Sequence, residues 1–192
     1  MRKLVLLMHT SLDGFIGTTS GGLDWIKLNE EIFEYAGRRT READTALYGR
    51  ITYQMMEAYW PPAAEKPDAT RHDVEHSKWY QSVAKVVVSR TLKSKSPPGT
   101  TIISGDLVDQ VRKLKHASGK DILLLGSPSV AHALSAAKLI DDYWLMVNPV
   151  LLGHGIPLFE GIKSPIPLKL HECKKLKSDV VCLHYTDEHV KK

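Results

Sequence analysis

The chain has 192 residues, of which 43% are hydrophobic and 25% charged, and a formal net charge of +4. Those proportions exclude disordered and fibrous classes and leave room for one substantial core, so a single domain over residues 1–192 is expected. No apolar run approaches the roughly 20 residues of a membrane-spanning helix. Met1-Arg2-Lys3 is followed only by the short apolar run Leu4 to Met8, without a small-residue cleavage pattern. That suits a first strand of a cytoplasmic protein better than a signal peptide. Basic residues are scattered, apart from Arg38-Arg39-Thr40-Arg41 and Lys169, Lys174, Lys175 and Lys177. A nucleic-acid groove needs a denser stripe with aromatics interleaved, whereas anionic small ligands remain compatible.

In chain order, Lys3 to His9 reads as the first strand, and Asp13-Gly14 as a tight turn after it. Leu23-Asp24-Trp25-Ile26 opens the first helical region, with Asp24 as its N-cap. Ile32, Phe33, Tyr35 and Ala36 give an amphipathic helix from Glu30 to about Arg41. A short strand, Thr45 to Tyr48, leads to Gly49-Arg50-Ile51-Thr52, and Gln54 to Tyr59 can be helical. Pro61 to Asp73 reads as a surface loop. Val74 to Gln81 suits a short helix, Lys85 to Val88 a strand, Ser94 to Gly99 a loop, and Thr101 to Ile103 another strand. Asp106 to Ala117 is an amphipathic helix.

The stretch from Asp121 to Phe159 is the most informative. Asp121-Ile-Leu-Leu-Leu125 is the pattern of a strand buried on both faces of a parallel sheet. Gly126-Ser127-Pro128-Ser129 breaks it, and Ser127 and Pro128 suit the start of a helix from about Ser129 to Ala137. Asp141 to Val147 returns as a strand, giving a βαβ unit whose helix N-terminus can accept a phosphate. Asn148-Pro149 ends that strand, and Gly153-His154-Gly155 forms a loop. Leu168 to Leu176 and Asp179 to Asp187 read as an antiparallel hairpin. Strands alternating with helices, then a hairpin, predict an α/β sheet that is mostly parallel with an antiparallel edge.

Three predicted strand ends carry compact groups suited to phosphate: Gly49-Arg50-x-Thr52, Ser89-Arg90 and Gly126-Ser127. Ligands of open α/β sheets gather at the carboxyl ends of strands, and a guanidinium forks onto phosphate oxygens. Three such groups on one sheet edge predict a nucleotide site. Neither Gly-x-Gly-x-x-Gly nor a P-loop is present.

These motifs also carry a resemblance. Ser11-Leu-Asp-Gly-Phe-Ile16-Gly17, Leu47-Tyr-Gly49-Arg50-Ile-Thr52-Tyr53, Val88-Ser89-Arg90 and Leu125-Gly126-Ser127 resemble the dihydrofolate reductase superfamily. Asn148-Pro149-Val-Leu-Leu152-Gly153-His-Gly155-Ile-Pro157-Leu-Phe159 resembles its riboflavin-biosynthesis branch, the reductase half of the bifunctional deaminase-reductase. The likeness implies a dihydrofolate-reductase-like three-layer fold and NADPH as hydride donor. It places Gly49, Arg50 and Thr52 at the cofactor's phosphates, Ser89 and Arg90 near the adenosine 2′-phosphate, Gly126 and Ser127 at the pyrophosphate, and Ile16 and Gly17 by the nicotinamide. No His-x-Glu with Pro-Cys-x-x-Cys is found, so a reductase without the deaminase half is expected.

The same resemblance makes Glu30, five positions after Trp25, the matching place for an acidic residue that supports substrate protonation; an exposed helix-start acid is the alternative. His9 and Trp25 are candidates to line the substrate pocket, and Asp13 is expected to be structural. A hairpin turning at Lys177-Ser178 would set Cys173 opposite Cys182 and His171 opposite His184. A pleated face does not converge four such ligands on one ion, so no metal is expected there. His72-Asp-Val-Glu75-His76 matches a short metalloprotease pattern and is read as a surface cluster.

The expectation is therefore an NADPH-dependent reductase of a pterin or aminopyrimidine, first of all the riboflavin-type 5-amino-6-(5-phosphoribosylamino)uracil. The alternatives are a dihydrofolate reductase and a catalytically silent nucleotide-binding protein. An exposed hairpin edge suggests a homodimer.

Overall fold

A computed structural model describes residues 1–92 and 97–188. Its framework is an eight-stranded sheet: β1 (Leu4–Ser11), β3 (Ala43–Gly49), β4 (Ala84–Val88), β5 (Thr100–Ile103), β6 (Asp121–Leu125), β7 (Asp142–Asn148), β9 (Leu168–Lys175) and β10 (Val181–Asp187). The spatial order is β5-β4-β3-β6-β1-β7-β10-β9. The first six in that order run parallel, and β10 and β9 add antiparallel. Two short strands, β2 (Phe15–Gly17) and β8 (Ile156–Pro157), pair separately. Among the described residues five α-helices complete the fold: α1 (Glu30–Glu42), α2 (Arg50–Tyr59), α3 (Arg71–Ser82), α4 (Leu107–His116) and α5 (Pro128–Ala136).

The three layers follow from the alternation of apolar residues along buried strands. Leu4, Leu6, Ile122 and Leu124 pack with Val111, Val130 and Leu134 on the side of α4 and α5. Val5, Leu7 and Leu123 face Ile32 and Tyr35 of α1 on the other side. A run such as Ile122-Leu-Leu-Leu125 thus supplies both cores at once, as parallel strands covered on both faces do. Tyr48 and Val87 extend the second core to Tyr80 of α3.

Several expected boundaries move. The amphipathic helix does begin at Glu30, but its cap is the Asn29 side chain, which accepts from the Ile32 N–H at 3.0 Å. Asp24 is not its cap, because Leu23 to Leu28 do not form a helix. Gly49-Arg50 opens α2 directly. Within the expected loop Pro61 to Asp73, a short 3-10 turn forms at Ala63–Glu65, and α3 begins at Arg71 with a Thr70–Asp73 capping box. The first half of the expected loop Ser94 to Gly99 falls outside the described residues.

The terminal hairpin forms, but its register differs from expectation. Cys173 pairs with Leu183 and Cys182 with Lys174, so the two thiols lie on opposite faces. A bulge between His184 and Tyr185 absorbs His171, which bonds Thr186 Oγ1 at 2.7 Å. Among the described residues no group of His, Cys, Asp and Glu is arranged to hold a metal, and no helix is long and apolar enough to cross a membrane.

Candidate active site

The carboxyl ends of β1, β3, β4 and β6 open into a cavity of about 1040 Å³, roofed by α1, α2, α3 and the segment after β2. Ligands collect at this end of an open α/β sheet, where loops leave the strands and helix N-termini point inward.

The floor is made by two interlocked turns. After β3, Gly49 leads into α2, and its N–H donates to Ser127 Oγ at 2.7 Å. Ser127 therefore serves the start of α2; it makes no side-chain capping bond to its own helix α5, contrary to the expectation from its place beside Pro128. Ser127 adopts φ +64°, directly after Gly126 at φ +59°. Two successive residues in the left-handed region turn the chain sharply between β6 and α5. A Cβ at Gly126 would lie 3.0 Å from the Thr52 methyl, and one at Gly49 would lie 3.3 Å from Ser127 Oγ. The small residues of the two motifs are thus needed by each other, and their contact brings the N-termini of α2 and α5 to one place.

The third strand end, after β4, is a tight turn. Buried Ser89 Oγ accepts from the Thr91 and Leu92 N–H groups at 3.1 and 2.9 Å, and Arg90 is left exposed at the cavity rim. Arg50 also lines the cavity, its Nη1 donating to Gln54 Oε1 at 2.9 Å. The structure brings together Gly49, Arg50, Thr52, Ser89, Arg90, Gly126 and Ser127, and Ile16 and Gly17 line the same cavity from β2.

The position of β2 is set by the exit loop. Asp13, in the turn after β1, accepts from Ser11 Oγ at 2.6 Å and from the Gly153 and Leu152 N–H groups at 2.7 and 3.2 Å. The Ser11 hydroxyl foremost, then those backbone bonds, hold its carboxyl below the usual range. Any Cβ at Gly155 would overlap the Gly17 carbonyl oxygen. The Asp-Gly turn and the Gly-His-Gly loop are therefore two halves of one clamp that seats Gly17.

His9, at the end of β1, lines the cavity. Burial lowers its pKa to about 4, so the ring is neutral at pH 7. Buried Asn148 orients it. Asn148 Oδ1 accepts from the Lys27 N–H at 3.0 Å, which leaves Nδ2 to donate toward Met146 O at 3.1 Å and His9 Nδ1 at 3.3 Å. With Nδ1 as acceptor, the remaining proton of the neutral ring belongs on Nε2.

Glu30 and Trp25 are placed elsewhere. Glu30 is exposed in the first turn of α1 and borders a separate depression with Asn29, Glu31, Glu34 and Lys177. The helix turns Ile32, Phe33, Ala36, Gly37 and Thr40 toward the cavity instead. Trp25 lies in the non-helical segment, its indole N–H donating to Gly22 O at 3.2 Å, and it is not among the lining residues.

His72 and His76 are not a surface cluster. They stand one turn apart on the face of α3 that closes the cavity, against Phe33 of α1 and Trp60 after α2. Sequence reasoning missed this wall. The i, i+4 histidines were visible, but the rings they meet come from two other helices.

The fold and this cleft define a three-layer α/β protein of the dihydrofolate-reductase-like class. The model of the RibD C-terminal domain matches residues 2–182, and the chain belongs to that family, the family of the RibD reductase domain. It is 32% identical to the uncharacterized protein YyaP of Bacillus subtilis (strain 168) over 186 residues, 96% of this chain and 94% of that protein. A Shewanella sp. PV-4 protein named for riboflavin biosynthesis superposes with a TM-score of 0.75 at 23% identity, over 98% of this chain and 100% of that one. The diaminohydroxyphosphoribosylaminopyrimidine deaminase/5-amino-6-(5-phosphoribosylamino)uracil reductase of Thermotoga maritima matches with a TM-score of 0.65 at 15% identity, over 97% of this chain and 57% of that one. At these identities the structures speak for the fold.

Proposed function

We propose that the protein is an NADPH-dependent reductase that delivers hydride to an aminopyrimidine or pterin ring. The observation that carries this is the interlocked floor, where the Gly49 N–H meets Ser127 Oγ and Gly126 packs on Thr52. It sets the starts of α2 and α5 side by side at the carboxyl edge of the sheet. Two helix N-termini and the left-handed Gly126-Ser127 step form an anion cradle of the kind that receives a pyrophosphate. Gly49, Arg50 and Thr52 would hold the phosphates with Gly126 and Ser127. Arg90, exposed beyond the Ser89 turn, would meet an adenosine 2′-phosphate and favour NADPH over NADH. Ile16 and Gly17 would flank the nicotinamide.

Hydride donation is the chemistry a bound nicotinamide supplies. The chain's part is to position the acceptor and keep water out. His9 offers a neutral ring, oriented by Asn148, for hydrogen bonding rather than a charge. Glu30, exposed and outside the cavity, cannot support a ring there, and this counts against a dihydrofolate reductase. The family's riboflavin-type acceptor, 5-amino-6-(5-phosphoribosylamino)uracil, carries a phosphate that a cation or a helix N-terminus in the acceptor half would have to receive. A silent nucleotide-binding protein would bind the cofactor without turning over any acceptor.

The test is titration of NADPH and NADH, followed by cofactor fluorescence, on the wild type and Arg90→Ala. NADPH should bind more tightly than NADH. Arg90→Ala should weaken NADPH about tenfold, the worth of one charge-assisted phosphate contact, and leave NADH within about twofold. Failure of both nucleotides to bind would remove the reductase reading.

A further inference from the structure

The acceptor half of the cavity is walled by rings. The His72 imidazole lies parallel to Phe33, centroids 3.7 Å apart and planes within 1°. His76 lies 4.0 Å from Trp60, and Tyr59 meets Trp60 edge-on at 4.8 Å. Burial holds His72 below its ordinary pKa and His76 down to about 3, so both rings are neutral at pH 7. Neither makes a hydrogen bond among the described residues, so their nitrogens are free for a ligand.

The charge in this half is of the wrong sign for a phosphate. Among the described residues, Arg50 and Arg90 are the cationic side chains that line the cavity, and both stand at strand ends. Arg50 opens α2 and Tyr59 closes it, which separates them by about 14 Å at the helical rise. The charged lining group at the aromatic end is Asp73, kept ionised by the Thr70 hydroxyl and N–H. Lys66 lies over the Tyr59 ring, 4.0 Å from its centroid, and is not among the residues that line the cavity.

We propose that the acceptor is a planar, uncharged, unphosphorylated ring of about pterin size, held by stacking in the Phe33–Trp60–His72–His76 wall. The free imidazole nitrogens read its polar edge, and a phosphoribosyl group finds no cation to meet it among the described residues of this half. Stacking on such rings is sequence-tolerant chemistry for any π-face, and selection comes from what the wall leaves unpaired. This inference rests on the strand-end half being the nucleotide site.

The test is calorimetric titration of the wild type, with and without saturating NADP⁺. The probes are lumazine and the matched pair 5-amino-6-(5-phosphoribosylamino)uracil and its dephosphorylated riboside. We expect lumazine to bind at least tenfold more tightly than the phosphorylated uracil, and the riboside to bind at least as tightly as its phosphate. Trp60→Leu should weaken lumazine about tenfold and leave NADP⁺ affinity within twofold. Tighter binding of the phosphorylated member than of its riboside overturns the proposal, as does an absence of lumazine binding. If lumazine binds but no nicotinamide nucleotide does, the aromatic site stands and the reductase reading fails.

Discussion

His9, His72 and His76 place three imidazoles in one largely apolar cavity, and burial lowers the pKa of each, that of His9 to about 4 and of His76 to about 3. The unfolded chain returns them to about 6.5, so between pH 6.5 and roughly 4 the unfolded state binds more protons than the folded one. Stability from these groups is therefore fully present above pH 6.5 and lost as pH falls through that window. Urea unfolding followed from pH 7 to pH 4.5 should show a falling midpoint, and His9→Gln with His76→Gln should flatten the slope. An unchanged slope in the double variant would show that other groups govern the acid limb. Glu30 illustrates what residue-level reading misses. Its spacing from Trp25 suggested a pocket carboxylate, but Asn29 caps the helix between them, and the resulting phase points Glu30, Glu31 and Glu34 away from the cavity.

At the scale of elements, the link between the β3–α2 and β6–α5 turns is the feature on which the cofactor half depends. The Ser127 hydroxyl takes an N–H at the head of α2 that has no helical partner. Ser127→Ala should lower stability by about 1 kcal/mol, the worth of one capping bond, and weaken NADPH binding several-fold. A variant of unchanged affinity would mean that the floor is set by the glycines alone. Both turns were legible in the sequence, because Gly49-Arg50-x-Thr52 and Gly126-Ser127 are local patterns at strand ends. Their mutual contact was not, since it joins residues 78 apart in the chain. The hairpin was legible for the same local reason. Its register was not, because the His171 bulge depends on what packs beneath: His184 bonds buried Asp142 Oδ1 at 2.6 Å and lies 4.4 Å from the Trp144 ring.

For the whole molecule, the continuous apolar runs and their alternation with helices carried the architecture, and the order of the parallel strands needed the tertiary structure. The antiparallel extension ends in β9, an edge whose residues are almost all exposed. Lys169, Lys174 and Lys175 discourage indiscriminate pairing, while Leu168 and Leu170 leave apolar area on that edge. We propose that this edge meets a second copy to form a homodimer. Light scattering at micromolar concentration should give twice the 21.5 kDa chain mass, and Leu170→Lys should shift it toward the monomer. A wild type of single-chain mass would end that proposal.

We propose above all that the interlocked strand ends hold the nicotinamide nucleotide. Amide NMR of the labelled protein titrated with NADPH tests it most directly. The largest shifts should fall at Gly49 to Thr52, at Ser89 to Thr91 and at Gly126 to Ser129, with smaller ones at Ile16 and Gly17. Shifts confined to other surfaces, or none at saturating NADPH, would contradict it.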